Sequence, residues 1–223
     1  MKKSIIILIL ITVSISCNKN KVKVSSAIPQ KAVNTLPFFN SAEFTPEWID
    51  EKEETYKSIH TIPDFSFINQ EGVVISKEDY KDKIYVANFF FTTCTGICRS
   101  LSLQMKKVQE EFEGDPNVFF LSHSVTPELD SVPVLKKYAV DYGINSKKWN
   151  LVTGNKKEIY ELARTAYFSD EDFIKTKEAS EFIHTENFLL IDKKGRIRGV
   201  YNGTLTLETK RLIKHIYMLK NEN

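Results

Sequence analysis

Ile84-Tyr85-Val86-Ala87-Asn88-Phe89-Phe90-Phe91 is broken by a single amide side chain. A run of that length without alternation fits a strand buried on both faces, as in a sheet covered by helices on each side. It leads through Thr92-Thr93 into Cys94-Thr95-Gly96-Ile97-Cys98. Beyond the cysteines, Leu101, Met105, Val108 and Phe112 recur at helical spacing until Gly114-Asp115-Pro116 stops them. A central strand, a pair of cysteines and a helix are therefore consecutive, and the remaining elements have to be arranged around that join.

The rest of the chain alternates in type. Residues 63–67 and 72–75 read as a hairpin around Asn69-Gln70-Glu71-Gly72, and 118–122 as a second apolar strand. Helices are predicted at about 130–142 and 155–167, with a short strand over 149–152 between them. Phe188 to Ile191, the turn Asp192-Lys193-Lys194-Gly195 and Arg196 to Tyr201 form a strand, turn and strand, with Gly195 where a turn needs positive φ. A last helix covers 205–219. The order predicts an α/β protein with a thioredoxin-like fold: a central, mainly parallel sheet with a terminal antiparallel hairpin and helices on both faces.

The N-terminus has a different character. Lys2-Lys3 precede an apolar run from Ile5 to Ile11, extended by Val13 and Ile15, and small residues lead to Cys17. Those are the marks of an export signal, and the run is short of the ~20 residues that span a bilayer. Ser14-Ile15-Ser16-Cys17 resembles a bacterial lipobox, in which the cysteine is acylated and becomes the new N-terminus. An ordinary signal peptide with an incidental Cys17 and an uncleaved anchor are the competing readings.

Asn18 to Ala42 is rich in Lys, Ser, Asn and Pro and has no helical or strand period. About 25 flexible residues would reach roughly 25–30 Å. The expected organisation is a lipoprotein signal peptide over 1–16, a lipid-anchored tether over 17–42 and the thioredoxin-like domain over 43–223. Phe44 to Ile49 is aromatic enough to pack on the domain edge. The domain is expected outside the cytoplasm, held to a bacterial membrane by its lipid.

Charge excludes one class of partner. The chain has 31 Lys and Arg against 29 Asp and Glu, and removing residues 1–16 takes away Lys2 and Lys3 and leaves 29 of each. Nucleic-acid binding needs a clustered basic face that this balance does not suggest. A single chain acting as a monomer is expected.

With Cys17 assigned to lipid, Cys94 and Cys98 are the remaining thiols. A spacing of four places both on one face of the first helical turn, where unpaired N–H groups, the helix dipole and Arg99 favour thiolate. They can share one ion or form one disulfide. A purely structural disulfide would close so small a loop that its entropic contribution is slight. A thioredoxin-type reductase would carry two residues between its cysteines and a proline facing them, and the last proline of this chain is Pro133.

Where such folds place that proline, this chain has Phe182-Ile183-His184-Thr185-Glu186-Asn187, so His184 is expected to face the sulfurs. Two thiolates suit Cu(I), and an added imidazole accommodates Cu(II), one ion per chain. Zinc could use the same donors, although structural zinc sites take four protein ligands and no fourth stands out. His60 reads as a surface residue, His123 as a hydrogen-bonded structural one, and His215 as solvent-facing or capping. The acidic loop Ser169 to Ile183 reads either as a solvated insertion or as a mobile segment that swings His184 onto and off the metal.

As a set, these segments resemble the Sco/SenC family. They are Phe89-Phe90-Phe91-Thr92-Thr93-Cys94 with Cys98, Leu121-Ser122-His123-Ser124-Val125, the helix start from Asp130, Trp149 with Thr153-Gly154, His184-Thr185-Glu186-Asn187-Phe188, and Arg196-Ile197-Arg198-Gly199 with Tyr201 and Gly203-Thr204. The likeness covers about residues 36–220. It implies a membrane-anchored copper metallochaperone, not an enzyme in the usual sense, with Cys94, Cys98 and His184 as metal ligands. The implied partner is subunit II of cytochrome c oxidase or a related copper oxidase, whose copper A centre would receive the copper or have its cysteines reduced.

Members of that family often carry Pro after each motif cysteine and Asp-Pro after the Ser-Val strand. Thr95, Arg99 and Thr126-Pro127 stand there instead, and every ligand remains in place. The alternative is a thiol-disulfide reductase of the cell envelope in which Cys94 and Cys98 are the redox-active dithiol. A copper or redox sensor is a third reading.

Overall fold

In the computed structural model, which describes residues 35–94, 96–170, 183 and 185–222, the apolar run becomes strand β3 (Ile84–Phe90), buried at each of its seven positions. Before it come β1 (Ser66–Asn69) and β2 (Val74–Ser76). After it come helix α1 (Ile97–Glu111), β4 (Val118–Ser124), α2 (Val132–Tyr142) and β5 (Trp149–Thr153). The chain continues through α3 (Lys156–Glu161), a π-helical turn over Leu162–Ala166, β6 (Asn187–Ile191), β7 (Ile197–Asn202) and α4 (Thr206–Lys220). All strands join one sheet in the order β2-β1-β5-β4-β3-β6-β7.

The thioredoxin-like α/β architecture with helices on both faces is present, but the sheet is mixed rather than mainly parallel. Only β3 with β4 and β4 with β5 run parallel. The N-terminal hairpin joins the sheet by laying β1 antiparallel on β5, with Ile68 opposite Thr153. β5 leaves the sheet at its carboxyl edge and β6 re-enters there, so β6 must run against β3. The hairpin β6–β7 is antiparallel as expected, and its turn holds Gly195 at φ 77°.

Two cores flank the sheet. On one side α1, α2 and α4 bury Leu101, Met105, Leu135, Leu212 and Ile216 against Phe120 and Trp149. Each such side chain contributes roughly 1.5–3 kcal/mol by leaving water. On the other, Ile159, Ala163 and Tyr167 pack with Ile62, Phe65 and Tyr80. Helix α2 begins two residues later than Asp130, after an extended Ser131 and with Pro133 in its first turn, and ends at Gly143 in the left-handed region. Gly203 lets the turn into α4 pass α1 closely, since a Cβ there would fall 2.7 Å from Leu101 Cδ2.

Leu36 and Phe38, inside the stretch read as tether, are buried. The Phe39 N–H donates to Ile197 O at 3.1 Å, and Arg198 donates to the carbonyls of Leu36 and Pro37, so this segment covers the outer edge of β7. Trp48 Nε1 donates to Thr35 O and Phe44 packs against Phe39 and Phe168, which seats the Phe44–Ile49 region on the domain. No helix among the described residues is long and apolar enough to cross a membrane. Cys17 and the signal segment lie outside the described residues.

Candidate metal centre

β3 delivers the chain to the carboxyl edge of the sheet, and α1 starts at Ile97, so Cys94 sits in the turn and Cys98 in the first helical turn. Both thiols are free, with Cys94 half-buried and Cys98 buried against Phe90 and Leu101. The two thiols lie close enough for each to shift the other's ionisation. The predicted proximity is therefore present.

The predicted uniform thiolate character is not. Burial opposes ionisation of Cys94, but the N–H of Cys98, the Cys98 thiol and the N–H groups of Gly96 and Ile97 outweigh it and lower its pKa. Cys98 goes the other way. Burial pushes its thiol well above the ordinary range against a hydrogen bond from the Phe91 N–H, and the Cys94 and Asp130 charges add to the rise. Helix-terminal N–H groups supply the stabilisation of Cys94, and Arg99 is exposed. One member of the pair is thus the more accessible and more readily ionised, and the other an inward-facing thiol.

His184 lies outside the described residues, as do positions 171–182. Its neighbours are firmly held. Ile183 and Thr185 are buried, and Tyr160, whose hydroxyl lies near the Ile183 backbone, donates to Val125 O at 2.9 Å. The Val125 N–H in turn donates to Phe90 O at 2.9 Å, at the end of β3. On the other side the Gly203 N–H donates to Glu186 O at 2.7 Å, and β6 pairs Leu189 with Ala87. Both flanks of position 184 are therefore fastened at the sheet edge that carries the cysteines. At the start of the acidic loop, Ser169 and Asp170 are buried, with Asp170 paired to Arg164, so these residues are not a solvated insertion.

Among the described residues no three His, Cys, Asp or Glu side chains converge as a metal cage. His123 is fully buried on the face of the sheet away from α1, and neither ring nitrogen has a hydrogen-bond partner among the described residues. That corrects the expectation of a hydrogen-bonded histidine, because the surroundings are the rings of Phe65, Phe67, Phe89 and Tyr167. His60 is half-buried rather than on the surface, bonded to Ala166 O at 2.8 Å and stacked on Phe168. His215 bonds Tyr201 Oη at 2.8 Å. A cavity of about 540 Å³ near Phe38, Trp48 and Tyr56 includes neither cysteine.

Sequence reasoning gave no role at the site to Asp130, Thr92 and Ser124, which bond together beside the thiols. The available signal was a cluster of hydroxyl residues directly after two apolar strands.

A half-buried and a buried free cysteine at a helix N-terminus, on a thioredoxin-like sheet, define a thioredoxin-like protein with an open cysteine pair rather than a structural disulfide domain. The SCO1/SenC family model matches residues 53–220, and the chain belongs to that family. It is 31% identical over 147 residues to the SCO1 protein homolog of Bacillus subtilis (strain 168), covering 65% of this chain and 75% of that one. Among solved structures it is similar to a SCO1/SenC family lipoprotein from Bacillus anthracis str. Ames, with TM-score 0.63 and 28% identity, over 73% of this chain and 96% of that one. It is also similar to BsSco, a member of the Sco family of cytochrome c oxidase assembly proteins with a disulfide switch, at TM-score 0.60 and 26% identity over 74% and 96%. Copper-bound Arabidopsis thaliana ScoI, at 20% identity and TM-score 0.54 over 70% and 97%, shares the fold.

Proposed function

We propose that this protein is a copper metallochaperone of the cell envelope, anchored through a lipid on Cys17, with Cys94, Cys98 and His184 as the ligands of one copper ion. Its partner is subunit II of cytochrome c oxidase, or a related copper oxidase, whose copper A centre it loads or prepares. The observation that carries this reading is the free, adjacent Cys94–Cys98 pair at the sheet edge where the residues flanking His184 are also buried and held. Membership of the SCO1/SenC family and likeness to a B. anthracis lipoprotein and to BsSco support it.

The chemistry follows from the donors. Soft thiolates hold Cu(I), and an imidazole from the opposing turn extends the set to Cu(II). Cys94 is the more readily ionised thiol and burial holds the proton on Cys98, so copper bound by both sulfurs would displace that proton and affinity rises with pH. A partner's cysteines and histidines take the ion by ligand exchange at the half-buried Cys94. Oxidation of the pair to a disulfide removes both thiolates and blocks loading.

The difference between the thiols also favours a second reading, a thiol-disulfide reductase. The Cys94 thiolate attacks a partner disulfide and releases one partner thiolate. Cys98 then attacks Cys94 Sγ in the mixed disulfide, freeing the second partner thiol and leaving the Cys94–Cys98 disulfide.

Anaerobic copper loading of the full chain tests the proposal against Cys94→Ala, Cys98→Ala and His184→Ala. The native protein should bind one equivalent, each cysteine variant should lose it, and His184→Ala should lose Cu(II) affinity while keeping thiol exchange. Equal stoichiometry and spectra in all four would refute the site. Full copper binding without His184, together with intact exchange, would favour the reductase.

A further inference from the structure

At the carboxyl edge of the sheet Asp130 is wholly buried, and among the described residues no Lys or Arg pairs with it. A carboxylate in that position is stable only where donors converge on it. Here Thr92 Oγ1 donates to Oδ1 at 2.5 Å, and Ser124 Oγ and Thr126 Oγ1 donate to Oδ2 at 2.5 and 3.1 Å. The Thr92 N–H lies 3.3 Å from Oδ2 and 3.4 Å from Oδ1. These donors come from the β3–α1 turn, the end of β4 and the loop before α2.

The turn so held is the one that carries the thiols. Phe91, adjoining Thr92, directs its N–H to the Cys98 sulfur and receives the Cys94 N–H on its carbonyl at 3.4 Å. We propose that Asp130 is the positioning residue of the dithiol: by pinning Thr92 it fixes Phe91, and through the two backbone groups of Phe91 it sets the approach of Cys94 Sγ to Cys98 Sγ. The inference rests on the reading of these cysteines as a working pair and is independent of the ion or partner they serve.

The test is metal-free. The full chain is equilibrated with glutathione and glutathione disulfide, quenched with acid, alkylated and weighed by mass spectrometry. In the reaction the protein dithiol gives two electrons and two protons to glutathione disulfide, an S–S bond forms between Cys94 and Cys98, and two glutathione thiols are released. Asp130→Asn keeps the side-chain shape and removes the charge, whereas Thr92→Val removes the bonded hydroxyl with no change of charge.

Each should lower the equilibrium constant for disulfide formation by about tenfold. The double variant should lose little more than either single one, because both break the same contact. Thr92→Ser should restore the native value. Gln70→Ala, which breaks a buried network at the β1–β5 seam, should lower the melting temperature without moving the equilibrium.

Native equilibria in Asp130→Asn and Thr92→Val, or an equal shift in Gln70→Ala, would overturn the proposal. If the native chain itself forms no internal disulfide, the paired-thiol reading fails and the proposal with it, an outcome recognisable before any variant is made.

Discussion

Asp130 and His123 meet the end of β4 from opposite sides of the sheet. Both are wholly buried. Asp130 is surrounded by three hydroxyls and a backbone N–H, while His123 has both ring nitrogens unpartnered among the described residues and stacks on Phe89 at 5.1 Å. The two show alternative ways to keep a titratable group inside a protein. A charge stays buried when donors from several segments converge on it, and a ring stays buried by remaining neutral among other rings. The first arrangement ties the thiol-bearing turn to the sheet, and the second fills the opposite core.

The largest effect that separates them should come from Asp130→Ala. It strands the Thr92, Ser124 and Thr126 donors together and is expected to lower unfolding free energy by about 3 kcal/mol or more, measured by urea denaturation. A loss under about 1 kcal/mol would mean that water or another group replaces the carboxylate.

His123→Leu should act with pH. Burial lowers the imidazole pKa from 6.5 to about 3, so between those values the unfolded chain binds a proton that the folded one refuses. Folding stability due to this group is therefore intact above pH 6.5 and falls by about 1.4 kcal/mol for each unit below it. His123→Leu should remove that slope and gain about 2 kcal/mol on the native protein between pH 7.5 and 5. Parallel stability curves would show that His123 finds a partner or water in solution.

Ser124→Ala should have the smallest effect, about 1 kcal/mol by the same urea measurement, because the carboxylate keeps its other donors. A loss as large as that of Asp130→Ala would make Ser124 the keystone of the network.

Much of this was legible in the sequence, and the failures share a cause. The buried β3 strand, the periodicity of Leu101, Met105 and Val108, the Gly195 turn and the spacing of Cys94 and Cys98 are all local patterns. The mixed sheet was not legible, because the direction of β6 depends on the edge at which the chain re-enters. Asp130 read as the start of a helix because its donors are assembled only by the parallel register of β3 and β4, which brings Phe90 opposite Ser124. The unequal thiols were hidden for a similar reason: the first turn of α1 rotates Cys98 toward Phe90 and Leu101 and leaves Cys94 at the edge. His123 was expected to be hydrogen-bonded, and only the packed structure shows the aromatic rings around it.

The most direct test of the central claim is X-ray absorption at the copper edge of the full chain loaded with one equivalent of Cu(II). The proposed site predicts two sulfur scatterers and at least one imidazole, with the imidazole signal lost in His184→Ala. A spectrum with only nitrogen and oxygen neighbours, or one unchanged by that substitution, would contradict it.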